Sequence, residues 1–181
     1  MYCDRRYFLK IGAKAAVSAL LPLSAMASIN GISIPERRLS FYNTHTDERL
    51  EVCYYNQGRY QFHALKKINY IFRDHYSGKI KPIHKDLLDL LHAISMTLGD
   101  GAQFHIISGY RSPETNAMLR KKTKAVAKNS LHIQGKAADI RIPDCDTKRL
   151  SNICMKMQAG GVGYYPESDF VHVDTGDVRC W

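Results

Sequence analysis

The stretch SLHIQGKAADI, residues 130–140, places a histidine and an aspartate seven positions apart, at His132 and Asp139. The later segment DFVHVDTG adds His172 and, two residues further on, Asp174. Imidazole nitrogens and carboxylate oxygens are ligands of zinc in catalytic sites, where three protein ligands leave a fourth position open for water. These residue types therefore predict a metal centre built from His132, Asp139 and His172.

The local sequence is expected to bring these residues together. Gly135 permits a tight reversal after His132, and the alanines that follow carry the chain into a short strand that begins near Asp139. Side chains two apart on a strand point the same way, so His172 and Asp174 should share one face of a neighbouring strand. The remaining histidines lack a partner at such spacing and are interpreted as structural: His45, His63, His75, His84, His92 and His105.

The hydrophobic pattern favours an α+β fold. Residues 38–60 alternate apolar and polar side chains, as in a β-hairpin followed by a turn. One helix is predicted to begin near residue 62 and to stop at Gly78, a second follows Pro82, and Ser112 and Asp146 are placed to cap two more. We expect a small, mainly antiparallel sheet that carries the metal site and packs against the helices. Its later strands are predicted in QFHIISGY, AADIRIP, VGYYP, FVHVDTG and VRCW.

The first 27 residues are typical of an export signal. An Arg-Arg pair precedes an apolar stretch, which ends in the small-x-small sequence AMA. An uncleaved anchor or a basic cytosolic helix is the alternative, but the apolar stretch is too short and interrupted to span a bilayer comfortably. We expect a twin-arginine signal peptide over 1–27, a linker over 28–35, one domain over 36–181, and a periplasmic location.

Charge and cysteine content agree with export. The net charge of +9 would fall to +6 after loss of residues 1–27, and a basic exported protein suits an anionic envelope polymer. The lysines in LRKKTKAVAKN form one loop-like run without a nucleic-acid motif, so we expect no nucleic-acid partner. Four cysteines remain after loss of residues 1–27, and an even number in an oxidising compartment predicts at least one disulfide, with pairing left open, among Cys53, Cys145, Cys154 and Cys180.

Three segments together carry a resemblance to a known family. SLHIQGKAAD resembles the S-x-H-x-x-G-x-A-x-D signature of the M15 zinc peptidases, the D-alanyl-D-alanine carboxypeptidase and dipeptidase group. ISGYRSPETN is similar to that family's S-G-Y-R-S segment, and FVHVDTG to its final ligand strand, in the same order and spacing. Within the family, the chain resembles the DUF882 branch of periplasmic murein endopeptidases over roughly residues 36–181, which would make that range a zinc peptidase domain.

The resemblance implies roles for five residues. His132, Asp139 and His172 would hold one zinc ion. Arg111 would be the arginine that faces the scissile carbonyl and contributes to binding and catalysis, and Ser130 the serine that helps to hold the substrate.

The resemblance also implies a general base. In the family this base is an acidic residue a few positions before the last histidine, which makes Asp169 the expected base here. Some relatives use a histidine two positions before that ligand, where this chain has Phe170. Asp174 is the competing candidate, although a role in orienting a ligand imidazole suits it equally.

The activity implied by this resemblance is zinc-dependent hydrolysis of amide bonds in peptidoglycan peptide cross-links, in cell-wall growth or remodelling. The alternatives are a D-alanyl-D-alanine carboxypeptidase or dipeptidase, and a non-catalytic envelope-binding module that keeps a zinc scaffold. The expected partners are peptidoglycan stem peptides, with no stable membrane span after signal cleavage. Neither GxGxxG nor GxxxxGK[ST] occurs, which removes the usual nucleotide-binding motifs.

Overall fold

The computed structural model describes residues 35–99, 101–123 and 126–181. The predicted signal peptide, and the predicted linker apart from its last residue, lie outside the described residues. No helix in the described part of the chain is both long and apolar enough to cross a lipid bilayer.

Eight strands form one mixed sheet in the order β3-β2-β1-β4-β5-β7-β6-β8. Neighbouring strands are antiparallel except for the parallel pairs β1–β4 and β6–β8. The α+β class and the mainly antiparallel sheet are confirmed, but the sheet is larger than predicted because the β1–β4 pair joins the N-terminal hairpin to the later strands. The strands are β1 (Arg37–Asn43), β2 (Arg49–Asn56), β3 (Arg59–Tyr60), β4 (Gln103–Ser108), β5 (Ala137–Arg141), β6 (Gly161–Tyr165), β7 (Phe170–Asp174) and β8 (Arg179–Cys180).

The described residues include four α-helices and a single 3-10 turn between α3 and β5 (Leu131–Gln134). The two predicted caps are confirmed: the Ser112 side chain accepts from the amide of the third residue of α3, and the Asp146 side chain does the same for α4. The first helix ends at Ile71 rather than at Gly78, because the Asp74 carboxylate accepts from nearby amide and hydroxyl groups and holds a turn there. The helices are α1 (Phe62–Ile71), α2 (Lys85–Leu98), α3 (Pro113–Lys122) and α4 (Thr147–Met157).

The hydrophobic core lies between the sheet and the helices α1, α2 and α4. Alternate residues of the central strands face this core, as period-two alternation requires. The core side chains of β4, β5 and β7 are Phe104, Ile106, Ala138, Ile140, Val171 and Val173. The intervening residues of β5 and β7 therefore lie on the other face of the sheet, where the candidate site is found.

The described cysteines are free thiols, so the expected disulfide is not formed in this structure. Cys53 lies on β2 and Cys180 on β8, near opposite ends of the sheet, and these two cannot pair. Cys145 precedes α4 and Cys154 lies within it, and burial raises the pKa of the Cys154 thiol to about 12. A thiol with such a pKa stays protonated at neutral pH.

Candidate metal centre

The β5–β7 pair positions two of the three predicted ligands. Asp139 and His172 are direct partners in its antiparallel register. Alternation along β7 sends the valines on either side of His172 into the core and leaves His172 on the opposite face. His132 reaches the same place from the 3-10 turn that precedes β5. Gly135 ends this turn with φ +69°, and a Cβ atom there would lie 2.5 Å from the carbonyl oxygen of Pro82.

Three ligand atoms converge at this point. His132 Nε2 lies 3.2 Å from His172 Nδ1 and 3.3 Å from Asp139 Oδ1, and His172 Nδ1 lies 2.8 Å from the same carboxylate oxygen. Ligands at zinc bond lengths in a tetrahedral site are separated by about 3.3 Å. All three residues are buried, and together they form the one His/Asp/Glu/Cys cluster in the described chain that has metal-ligand geometry. The donor set therefore fits a single divalent cation.

The hydrogen bonds on the far side of each imidazole fix which nitrogen faces the cluster. His132 Nδ1 lies 2.7 Å from the carbonyl oxygen of Gly109, which can only accept, so this nitrogen carries the proton. His172 Nε2 lies 2.9 Å from Asp174 Oδ2 and donates to it. Nε2 of the first ring and Nδ1 of the second therefore present lone pairs to each other and to a carboxylate. Such an arrangement is stable only with a cation, a metal ion or a proton, between them.

The ionisation of the cluster follows from these contacts. Burial raises the pKa of Asp139, but His132 and His172 outweigh it and hold the pKa well below its ordinary range. Burial lowers the pKa of His172, whereas its hydrogen bonds to Asp139 and Asp174 raise it to about 9 in the metal-free protein. A proton on His172 thus occupies the place of the metal, and metal binding must displace it.

Asp174 fixes the orientation of the His172 ring through the ring nitrogen that faces away from the cluster. This carboxylate is fully buried and accepts from the amides of Gly161 and Gly176 at 3.0 and 2.9 Å. Both of its oxygens also accept from Arg179, at 3.1 and 2.6 Å. Burial raises its pKa, but the hydrogen bonds from His172 and Arg179 bring it well below the ordinary value. Its acceptor capacity is used by groups of the protein, which matches the orienting role rather than that of a base.

Arg111 and Ser130, the two residues predicted to contact the substrate, also line the cleft. Arg111 Nη2 lies 3.7 Å from Asp139 Oδ2, and the guanidinium makes long hydrogen bonds of 3.3 and 3.4 Å to Ser108 and Asn116. The backbone amide of Arg111 donates to the carbonyl oxygen of His132, which links the arginine to a ligand. The Ser130 hydroxyl accepts from the amide of His132 and caps the 3-10 turn.

Asp169 is the predicted residue that the structure does not bring to the cleft. It precedes β7 with φ +50°, and its carboxylate accepts from Thr147 and from Arg141, the latter at 3.1 Å. Asp169 lines a separate depression together with these two partners. The physical reason is local, because Asp169 lies in the turn before β7 rather than on the strand, and its two hydrogen bonds hold the carboxylate toward Arg141 and the start of α4. The Thr147 hydrogen bond lowers the pKa of Asp169.

The cluster forms part of the wall of an open cleft of about 400 Å³. The opposite side from Arg111 is formed by residues that sequence reasoning did not assign to the site: Tyr165, Arg179 and Trp181. The Trp181 ring lies 5.3 Å from the His172 ring, and its Nε1 donates to the Tyr165 hydroxyl at 2.8 Å. VRCW was predicted as an edge strand and not as part of the site, since no spacing in the sequence links it to the ligands.

An open cleft with two imidazoles and one carboxylate at a single point is the arrangement expected of a metal-dependent hydrolase. A family model, Peptidase_M15_2, described as peptidoglycan L,D-endopeptidase MepK, matches residues 32–181. The chain belongs to this family, which confirms the resemblance to the M15 peptidases.

Curated relatives agree over nearly the whole chain. Peptidoglycan L,D-endopeptidase MepK of Escherichia coli K12 is 40% identical over 179 residues, which cover 98% of this chain and 97% of the relative. The Shigella flexneri protein of the same name matches equally well. A probable peptidoglycan L,D-endopeptidase MepK of Haemophilus influenzae Rd is 38% identical over 180 residues, 98% of this chain and 95% of the relative.

Proposed function

We propose that this chain is a zinc-dependent peptidoglycan L,D-endopeptidase, which hydrolyses amide bonds in peptide cross-links during cell-wall growth or remodelling. The observation that carries the proposal is the convergence of His132 Nε2, His172 Nδ1 and Asp139 Oδ1 in an open cleft. Family membership supports the peptidoglycan substrate, and the name of the relatives supports the L,D type of bond.

Zinc is the metal that this donor set favours. Two imidazoles and one carboxylate, with an open fourth position, form a ligand set of zinc hydrolases. When bound, zinc would lower the pKa of water to about 7 and polarise the scissile carbonyl. The chain holds both imidazoles ready for this, since Gly109 and Asp174 fix the ring nitrogens that face the ion.

Arg111 is proposed to stabilise the oxyanion that develops on the scissile carbonyl. Its side chain is only 12% exposed, and the guanidinium lies beside Asp139, in the wall of the cleft. Its hydrogen bonds to Ser108 and Asn116 are long, so a charged oxygen of the substrate can compete for the same donors. A donor held in place before the reaction begins needs no reorganisation as the charge forms.

Ser130 and Asp174 are proposed to act in different ways. The Ser130 hydroxyl borders the cleft and, while it caps the turn that carries His132, its own hydrogen can donate to a substrate carbonyl. Asp174 is proposed to orient His172 and to take no proton, because its oxygens are occupied by Arg179 and two backbone amides. Asp169 is proposed to take no part in turnover, because it borders another depression.

Digestion of intact sacculi by the zinc-loaded mature protein tests the proposal, with muropeptides analysed by mass. We expect the L,D-cross-linked dimers to decrease, a chelator to stop the reaction, and His172→Ala to show no cleavage. Shortening of free peptide ends without loss of dimers would instead support the carboxypeptidase alternative. Binding to sacculi without any change in muropeptides would support the envelope-binding module.

We also propose that the enzyme is exported to the periplasm by the twin-arginine route and acts there without a nucleic-acid partner. The Arg-Arg pair and the small-residue site near the N-terminus support this. Cell fractionation of the full chain and of the double variant Arg5→Lys/Arg6→Lys tests it. We expect the wild type in the periplasm and the variant retained in the cytoplasm, and equal export of both would refute the route.

A further inference from the structure

One edge of the Arg179 guanidinium group donates no hydrogen bond to the described residues. A guanidinium has five N–H hydrogens, arranged so that either the two Nη atoms or Nε and Nη2 can grip a carboxylate. The two Nη atoms of Arg179 already donate to the two carboxylate oxygens of Asp174, at 3.1 and 2.6 Å. Nη1 also donates to the carbonyl oxygen of Asp177 at 2.9 Å. The Nε hydrogen and the second hydrogen of Nη2 have no partner among the described residues. These two hydrogens lie on one edge of the guanidinium and match a second carboxylate.

The position of Arg179 makes this edge available to a substrate. Its side chain is 44% exposed and lines the same cleft as the three metal ligands. The acidic side chains that line the cleft in the described chain are Asp139 and Asp174. The first belongs to the metal cluster and the second is fully buried with its oxygens occupied. An incoming carboxylate therefore has no protein acid to displace.

The surroundings hold the guanidinium rigidly. The Trp181 ring lies beneath it, 5.1 Å from the guanidinium carbon. The backbone of Trp181 is fixed to β6, since its amide donates to Val162 and its carbonyl oxygen accepts from Tyr164. The indole fills the space above Gly163, where a Cβ atom would lie 2.7 Å from the ring. Fixed donors lose little entropy on binding, so this edge is organised before a ligand arrives.

We infer that the Nε–Nη2 edge of Arg179 binds the carboxylate that neighbours the scissile bond on its amine side. The inference rests on the proposed function. In an L,D amide, the nitrogen belongs to a D-configured amino-acid centre, and the same carbon carries that centre's own carboxyl group. This carboxylate lies two bonds from the nitrogen that is released. Arg111 and Arg179 then act on two different groups of the substrate, the scissile carbonyl and the neighbouring carboxylate.

The test uses two cross-linked peptides that differ at one group, a free carboxylate or a carboxamide on the D-configured centre. We measure kcat/KM for both with the zinc-loaded protein, and for the variants Arg179→Gln and Arg179→Lys. The matched control is Arg141→Gln, which removes another strand arginine that pairs with an aspartate outside the cleft. Zinc content is measured for every protein.

We expect the wild type to prefer the carboxylate by roughly 10- to 100-fold, mostly through KM, as loss of a charge-assisted pair of hydrogen bonds predicts. The ratio of kcat/KM for the carboxylate peptide to kcat/KM for the carboxamide peptide should fall toward one in Arg179→Gln. It should fall to an intermediate value in Arg179→Lys and remain at the wild-type value in Arg141→Gln. Equal cleavage of both peptides by the wild type would overturn the subsite but leave the proposed function intact. An unchanged ratio in Arg179→Gln would also overturn it, whereas cleavage of neither peptide would overturn the proposed function and the subsite together.

Discussion

Asp139 and His172 face each other across the β5–β7 pair, with 2.8 Å between Oδ1 of the aspartate and Nδ1 of the histidine. This contact places two of the candidate ligands on central strands of the sheet, whose other faces lie in the core. His132, which comes from the turn before β5, completes the cluster. A site built on paired strands keeps its geometry better than one built on loops.

Loss of either ligand histidine is predicted to remove metal and activity together. We expect His132→Ala and His172→Ala to bind zinc more than about 100-fold more weakly, since a lost ligand costs more than a lost outer partner. Metal analysis after dialysis, together with sacculus digestion, measures both effects. The control is His105→Ala on β4, outside the cleft, which should keep full zinc content. Full zinc content in a ligand variant would reject its assignment.

Asp174→Asn is predicted to weaken zinc binding by about 10- to 100-fold while the protein stays folded. The amide keeps the shape of the side chain, but its NH2 group opposes the donors of His172 and Arg179. Competition with a metallochromic chelator measures the affinity. Asp177→Asn in the β7–β8 connection, three residues further on, serves as the control and should bind zinc as the wild type does. An unchanged affinity in Asp174→Asn would remove the orienting role.

Arg111→Ala is predicted to lower kcat by about 10²- to 10³-fold and to keep zinc. The guanidinium lies at the cluster without being a ligand, so its loss should affect the reacting oxygen more than the metal. Steady-state kinetics on a cross-linked peptide measures the effect. A variant with wild-type kcat would show that the arginine does not contact the developing charge.

Asp169→Ala is predicted to keep full zinc content. Its kcat/KM should stay within about threefold of the wild-type value, as expected for a surface substitution. The carboxylate is bound to Thr147 and Arg141 and does not border the cleft. The same peptide assay measures it, with Arg111→Ala as the reference for a damaged site. A loss of turnover with full zinc content would restore Asp169 as the base that the family resemblance implied.

The metal-free protein is predicted to lose stability as the pH rises from about 6.5 through about 9. The pKa of His172 is raised from 6.5 to about 9, so its proton stabilises the fold fully below pH 6.5, and this contribution disappears above pH 9. Zinc replaces that proton, so the zinc-loaded protein should not lose this contribution. Thermal unfolding of both forms across this pH range measures it. A flat Tm for the metal-free protein over this range would contradict the assigned pKa.

The convergence of the three candidate ligands could be predicted from the sequence because their spacing reflects strand geometry. The spacing of two between His172 and Asp174 correctly placed both on one face of a strand, and Gly135 correctly marked the reversal after His132. No such spacing argument applies to Asp169, which lies in the turn before β7 with φ +50°. The prediction relied on the family resemblance there, and the structure keeps Asp169 outside the cleft.

Other features depend on contacts between distant parts of the chain. The end of α1 is set by the Asp74 carboxylate, which also accepts from the amide of Ser112, and local helical periodicity carries no sign of that bond. The parallel β1–β4 pair that enlarges the sheet is equally non-local. Arg179 reaches the cleft only because β8 pairs with β6, so its place beside Asp174 could not be predicted from VRCW alone.

Anomalous diffraction at the zinc edge from crystals of the zinc-loaded protein shows where the ion binds. We expect one strong peak, bound by His132 Nε2, His172 Nδ1 and a carboxylate oxygen of Asp139 at about 2.0 to 2.2 Å. A zinc ion bound elsewhere, or an active protein without zinc between these three side chains, would contradict this expectation.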